Sequence, residues 1–370
     1  MVTATATPAT IRLDIGEPDF DTPPHIVEAA ARALRDGATR YVAPEGLPRL
    51  RAANASTLHA RGCAASPDHV VIGAGAKPVL CTALRALLRD GDEALVPDPG
   101  YPGYRAAVSY AGGSPVPYPV VDSDGRFRVD AAAIEARITP RTRVLVLNTP
   151  HNPTGGVCSD AELDALAELA VRHDLHVVSD EVYGAIVFDG GNVTTIAARP
   201  GMRERTVLVD SFSKTYAMTG WRLGYAVVPP HLVEPMRGLI LNTATCTPAF
   251  VQEAGIAALT GPQHAVQAMV RTYAERRELM MAALRGIPGL SVQRPAGAFY
   301  TFPRLTAPIA GISARMTARL REKHGLACAS GAAYGALGEG HVRLSFAASE
   351  DELREGVVRL ARLAVTTWEA

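Results

Sequence analysis

Lys214 follows an apolar, β-branched run at Thr206–Val209 and a Ser211-Phe-Ser213 turn, with Arg222 eight residues further on in Thr219-Gly220-Trp221-Arg222. That setting differs from the solvated helix end expected for Lys323. An amine held by apolar chain and flanked by a cation can lose its proton and attack an aldehyde. Hydroxyls such as those of Ser211 and Ser213, and a guanidinium such as that of Arg222, are groups that hold phosphate. Two further apolar runs also end in chemistry-bearing residues. Asn148-Thr-Pro-His-Asn152-Pro-Thr-Gly155 follows the run 143–147, and Ser179-Asp180-Glu-Val-Tyr183 follows the run 176–178. Ligands of open α/β sheets sit outside the carboxyl ends of the strands. Three neighbouring strands would thus deliver an amide, a carboxylate with a phenol, and an amine to one crevice.

The elements that must position these groups are legible from pattern. His69–Ile72, Glu93–Val96, Arg143–Leu147, His176–Val178, Thr206–Val209 and Tyr225–Val228 read as buried strands, with helices at Pro78–Arg89 and at Asp160–His173 after the N-cap candidate Ser159. Alternation of this kind predicts an α/β fold with a mostly parallel sheet. After about residue 270 the pattern changes to a long helix Val270–Arg285, strands at Leu290–Val292 and Ala298–Phe302, a helix Ile312–His324, a strand His341–Phe346 and a closing helix Glu350–Thr367. The expected organisation is a large domain over 38–270 and a smaller α+β domain built from 1–37 together with 271–370.

Composition narrows the function classes. The 37 basic and 37 acidic side chains cancel, so no global field favours nucleic acid or an anionic membrane. No apolar run reaches the roughly 18 residues of a membrane span. The opening Met1–Arg12 reads as a short flexible arm without a signal layout, and the five dispersed cysteines read as reduced thiols of a cytoplasmic protein. The ten histidines form no catalytic set, and no metal constellation is expected.

The stretch Ser211-Phe-Ser-Lys-Thr-Tyr-Ala-Met-Thr-Gly-Trp-Arg-Leu-Gly224 resembles the lysine-attachment signature of class I aminotransferases, pyridoxal-phosphate enzymes of fold type I. The resemblance runs from Ile15-Gly-Glu-Pro-Asp-Phe-Asp-Thr-Pro23 to His341-Val-Arg343-Leu-Ser-Phe346, with several separated motifs in the family's order. It implies a fold type I transferase that holds pyridoxal 5'-phosphate as a Schiff base on Lys214. The amino group would move between an L-α-amino acid and a 2-oxo acid by a ping-pong route through pyridoxamine phosphate.

The resemblance also implies roles. Asp180 pairs with the ring nitrogen of the cofactor, though it also reads as a helix N-cap. Tyr183 and Asn152 bond the ring 3-oxygen, while Asn152-Pro-Thr-Gly155 also reads as a plain turn. Gly75, Ala76 and Lys77 form a phosphate cup at a helix start, joined by Ser211, Ser213 and Arg222. Tyr101 supplies the flat aromatic face over the ring, against a reading as a core aromatic, and Tyr104 lies close by. Arg343 clamps the substrate carboxylate, with the Gly16 backbone and Asn152 beside it. Tyr41 reaches the phosphate of a neighbouring subunit, which implies a homodimer with composite sites.

Other readings stay open at this point. Elimination or replacement on the same scaffold shares the cofactor contacts. A non-catalytic regulator would carry a DNA-binding segment, and the stretch before residue 14 is expected to hold none. An unrelated nucleotide-binding protein lacks support, since no GxGxxG or Walker pattern follows a strand. The chain departs from the pattern of the family it resembles in two places, a short arm before Ile15 and Ser330 where that family often carries proline.

Overall fold

The computed structural model describes residues 10–191, 194–306 and 310–367. Its centre is an eight-stranded sheet of β1 (Val70–Gly73), β2 (Glu93–Asp98), β3 (Ser114–Ser123), β4 (Arg126–Val129), β5 (Thr142–Asn148), β6 (His176–Asp180), β7 (Thr206–Ser211) and β8 (Gly224–Val227). The spatial order is β1-β8-β7-β6-β5-β2-β3-β4. Neighbours from β7 to β3 are parallel, β8 is antiparallel to both β7 and β1, and β4 is antiparallel to β3. All six anticipated strands are present, their ends displaced by a residue or two.

The β3–β4 hairpin was not anticipated, and β3 shows why. Pro115, Pro117 and Pro119 lie where this strand pairs with β2 alone, whereas β4 pairs only with Val120–Ser123. Alternate residues of a strand direct their N–H groups to opposite sides, so these prolines withhold donors from an open side. Proline there reads in sequence as a loop.

Helices cover both sheet faces. The helix Ala76–Leu87 starts two residues before the expected Pro78, which occupies the third position of its first turn. A first-turn N–H has no partner within the helix, so proline loses nothing there. The helix Asp160–Arg172 is held by a full capping box, Ser159 with Glu162. The helix Pro24–Arg35 lies on this side of the molecule, where Ile26 and Ala30 share a core with Leu50, Val251 and Ala254.

A second core joins Leu13 to Tyr273, Phe299, Tyr300, Leu320, Val342, Phe346 and Leu353. Ile11–Arg12 pairs in parallel with Leu326–Ala327. The expected flexible arm is therefore corrected at its last two residues, because Leu13 anchors them, while residues 1–9 lie outside the described ones. Tyr300–Thr301 and Ala329–Ser330 flank Val342–Ser345 antiparallel. The helix expected at 270 begins at His264, after Gly261-Pro262-Gln263. The helices Ile312–His324 and Glu350–Thr367 have the expected bounds. Arg277 bridges back through two 2.9 Å bonds to both oxygens of Asp189, and the Ala296 and Gly297 N–H groups donate to the Gly155 carbonyl. Among the described residues no helix is long and apolar enough to cross a membrane.

Candidate active site

Strands β5, β6 and β7 are adjacent and parallel, so Asn148, Asp180 and Ser211 end on one edge. Asn148 fastens that edge. Its side-chain nitrogen donates to the Asp180 carbonyl at 2.9 Å, and its oxygen accepts the Asn152 N–H at 2.8 Å. The turn that carries Asn152 is thereby fixed to the strand that carries Asp180.

Lys214 sits in the short helical turn Phe212–Thr215 after β7, and its Nζ donates to the Gly16 carbonyl at 2.6 Å. Burial pushes the amine down to about 8; Arg222 and Arg343 push the same way, against Glu17 and Asp180. At pH 7 about one such amine in ten is neutral, against about one in 3,000 for a free lysine. A partly buried lysine with a lowered proton affinity is what nucleophilic attack on an aldehyde requires.

Asp180 is buried, with Oδ2 accepting from the Tyr104 hydroxyl at 2.7 Å and Oδ1 from the Val182 N–H at 3.3 Å. Burial raises this carboxyl to about 6 in spite of both donors. Among the described residues no cation lies within ion-pair distance of it. The helix-cap reading of Asp180 does not hold, since no helix of the described residues starts there.

The phosphate-cup candidates come together. Gly75 has φ +99, a conformation that favours glycine, and a Cβ there would overlap Arg222 Nη2. Arg222 itself adopts φ 57, and its Nη1 and Nη2 donate to the Thr219 and Ala74 carbonyls at 2.7 and 3.3 Å. The first N–H groups of the helix Ala76–Leu87 open beside this guanidinium, and Ser211 and Ser213 are buried nearby in the chain. Lys77 Nζ stands 5.6 Å from the centroid of the Tyr101 ring, which meets Tyr104 edge-on at 5.4 Å.

At the far end Arg343 is buried. Its Nη1 donates to Asn152 Oδ1 at 3.1 Å, its Nη2 to the Asp14 carbonyl at 2.6 Å, and Nε has no partner. Its guanidinium lies 4.3 Å from the Tyr300 ring centroid and 5.2 Å from that of Tyr334. Tyr41 stands apart, 85% exposed, and residues 241–245 are also exposed. His151 takes no part: burial holds it down at about 3, and it bonds Thr154 at 2.8 Å.

Sequence reasoning missed Asn148, Asp14 and Tyr300. Tyr300 lies in an all-buried stretch from Ala298 to Phe302, where alternation cannot distinguish a site-facing side chain from a core one. The only signal for Asn148 was a polar residue closing an apolar run.

The residues fit pyridoxal phosphate on three counts. These are a buried carboxylate lacking a cation, a glycine turn under a guanidinium at a helix start, and a depressed lysine between them. The model of the family described as aminotransferase class I and II matches residues 8–360. The chain is 40% identical over 358 residues to an aromatic-amino-acid aminotransferase of Thermococcus litoralis, covering 95% of this chain and 91% of the relative. It is likewise 40% identical to an arginine–pyruvate transaminase of Pseudomonas aeruginosa, covering 94% and 88%. The crystal structure of an aromatic aminotransferase from Pyrococcus horikoshii superposes with a TM-score of 0.93 at 39% identity, over 96% of each chain. The chain belongs to the class I and II aminotransferases, a family of pyridoxal-phosphate enzymes, and transfers amino groups between amino acids and 2-oxo acids.

Proposed function

We propose that this aminotransferase carries pyridoxal 5'-phosphate on Lys214, and that the partly buried Lys214 amine, depressed to about 8 and enclosed by Gly16, Asp180, Arg222 and Arg343, is the observation that carries the reading. The bound cofactor supplies an electron sink for the charge left on a substrate α-carbon. Asp180 holds the ring nitrogen in its protonated form, and Tyr104 keeps that carboxylate aimed. Asn152 and Tyr183 donate to the ring 3-oxygen. Gly75, Ala76, Lys77, Ser211, Ser213 and Arg222 hold the phosphate, and Tyr101 covers the ring face.

Arg343 binds the substrate carboxylate with its remaining N–H groups, Nε among them, beside the Gly16 backbone. That clamp fixes the α-carbon against Lys214. Once the substrate amine has taken its place on the cofactor, the freed Lys214 Nζ would take the α-proton of the amino acid in one half-reaction and deliver a proton to the α-carbon of the incoming 2-oxo acid's skeleton in the other. The clamp is blind to the side chain, and relatives of similar identity carry aspartate, aromatic and arginine names.

The active unit is proposed to be a homodimer, with the exposed Tyr41 of one protomer completing the phosphate site of its partner. The proposed division is 38–270 as the cofactor-binding domain and 1–37 with 271–370 as the smaller one, the helix Pro24–Arg35 docking on the first. Five free thiols among the described residues support a reducing, cytoplasmic setting.

The test is a half-reaction. Cofactor-loaded protein mixed with single amino acids, without a 2-oxo acid, should release one equivalent of 2-oxo acid per site and then stop. The amino acids that do so rank the substrates. Continuous release of ammonia would instead favour elimination.

A further inference from the structure

Tyr300 occupies the space between the two ends of the proposed site, and no role above uses it. The side chain is buried, on the strand Tyr300–Thr301 that pairs with Val342–Ser345. Its ring lies 4.3 Å from the Arg343 guanidinium carbon. Its hydroxyl is 2.9 Å from the hydroxyl of Tyr183. Gly16 passes so close that a Cβ there would overlap the Tyr300 oxygen, and the Gly16 carbonyl is the one that holds Lys214. Its neighbours Phe299 and Phe346 fill the same core with rings alone. Packing by itself therefore gives no reason for the Tyr300 oxygen.

We infer that Tyr300 is a positioning residue whose hydroxyl donates to Tyr183, turning the Tyr183 proton toward the 3-oxygen of the cofactor, while its ring supports Arg343. The inference rests on the proposed role of Tyr183. Two phenols that share one hydrogen bond keep one proton to offer outward. If Tyr183 donated to Tyr300, it would have none left for the cofactor. An anionic oxygen beside Tyr183 takes that proton, and Tyr300 then donates inward. Consecutive hydrogen bonds polarise one another, so the inner donor strengthens the outer one. A more strongly held 3-oxyanion lowers the proton affinity of the nitrogen that joins Lys214 to the cofactor.

The substitution Tyr300→Phe keeps the ring and removes the hydroxyl. In the loaded protein, the pH midpoint of the cofactor's absorbance change should rise by roughly 0.2–0.6 unit. The KM for an amino acid in the half-reaction should stay within about twofold, since cation–π support survives. Tyr183→Phe should raise the midpoint further. The double variant should equal Tyr183→Phe alone, because Tyr300 acts only through Tyr183. A midpoint that stays or falls in Tyr300→Phe, while Tyr183→Phe moves it, overturns the inference and leaves Tyr183 in place. A midpoint indifferent to both variants removes Tyr183 from the cofactor and this inference with it.

Discussion

The Tyr104 hydroxyl donates a 2.7 Å hydrogen bond to Asp180 Oδ2, joining the helix Gly103–Tyr110 that follows β2 to the end of β6 with both side chains buried. The bond aims a carboxylate that has no ionic partner among the described residues, and a protonated ring nitrogen would supply one. Asp180→Asn should fold as the natural protein does and lose at least about a hundredfold in turnover, because a neutral amide cannot stabilise the cation. Tyr104→Phe removes one charge-assisted bond. It should weaken cofactor retention by about tenfold, read by absorbance on dilution.

The depressed Lys214 gives a pH signature in the cofactor-free protein. Only the neutral amine attacks, so the rate of pyridoxal-phosphate uptake should rise about tenfold per unit below pH 8. Above about 8, where burial has placed the group, the rate should level off. Stopped-flow absorbance reads this directly. A rate still climbing tenfold per unit at about pH 9.5 would describe an ordinary lysine.

Arg343 presents a planar fork that Lys cannot reproduce. Arg343→Lys should raise KM for the amino acid by about ten- to a hundredfold in the half-reaction, with a smaller effect on its limiting rate. An unchanged KM would place the substrate carboxylate elsewhere.

Behind the site, Arg61 pairs with Glu181 and lies 3.6 Å from Asp210. Glu181 also accepts from Ser179 and Thr195 at 2.8 and 2.7 Å. Burial raises Asp210 to about 7, even with Arg61 opposing the rise. Arg61→Met leaves two enclosed carboxylates without their cation and should lower stability by about 3–5 kcal/mol in urea unfolding. Asp210, whose folded proton affinity exceeds the unfolded value, is less costly when protonated. The deficit should therefore shrink as the pH falls from 8 to 5.

Much of this site was legible because its chemistry sits at strand ends, where an apolar run gives way to a polar group. Lys214, Asp180 and Asn152 each follow such a transition, and parallel pairing of β5, β6 and β7 brings them together without further information. Arg343 is different. It lies inside a strand, and only its resemblance to a family motif singled it out. Tyr300 was invisible and Asn148 showed only as a polar residue closing an apolar run, because their roles depend on which partner each side chain meets across 117 and 32 residues of chain. The β3–β4 hairpin was hidden by prolines that suit an open strand side. The docking of the helix Pro24–Arg35 on the helix Ala249–Thr260 likewise reflects long-range packing that no local pattern encodes.

Only three amines could hold the cofactor as a lysine Schiff base, since the chain's lysines are Lys77, Lys214 and Lys323 alone. Borohydride reduction of the loaded protein, followed by digestion and mass analysis, fixes the cofactor to whichever amine carries it. A phosphopyridoxyl group on Lys214 in near-stoichiometric yield is the expected result. The same label on Lys77, or no label on any lysine, would contradict it.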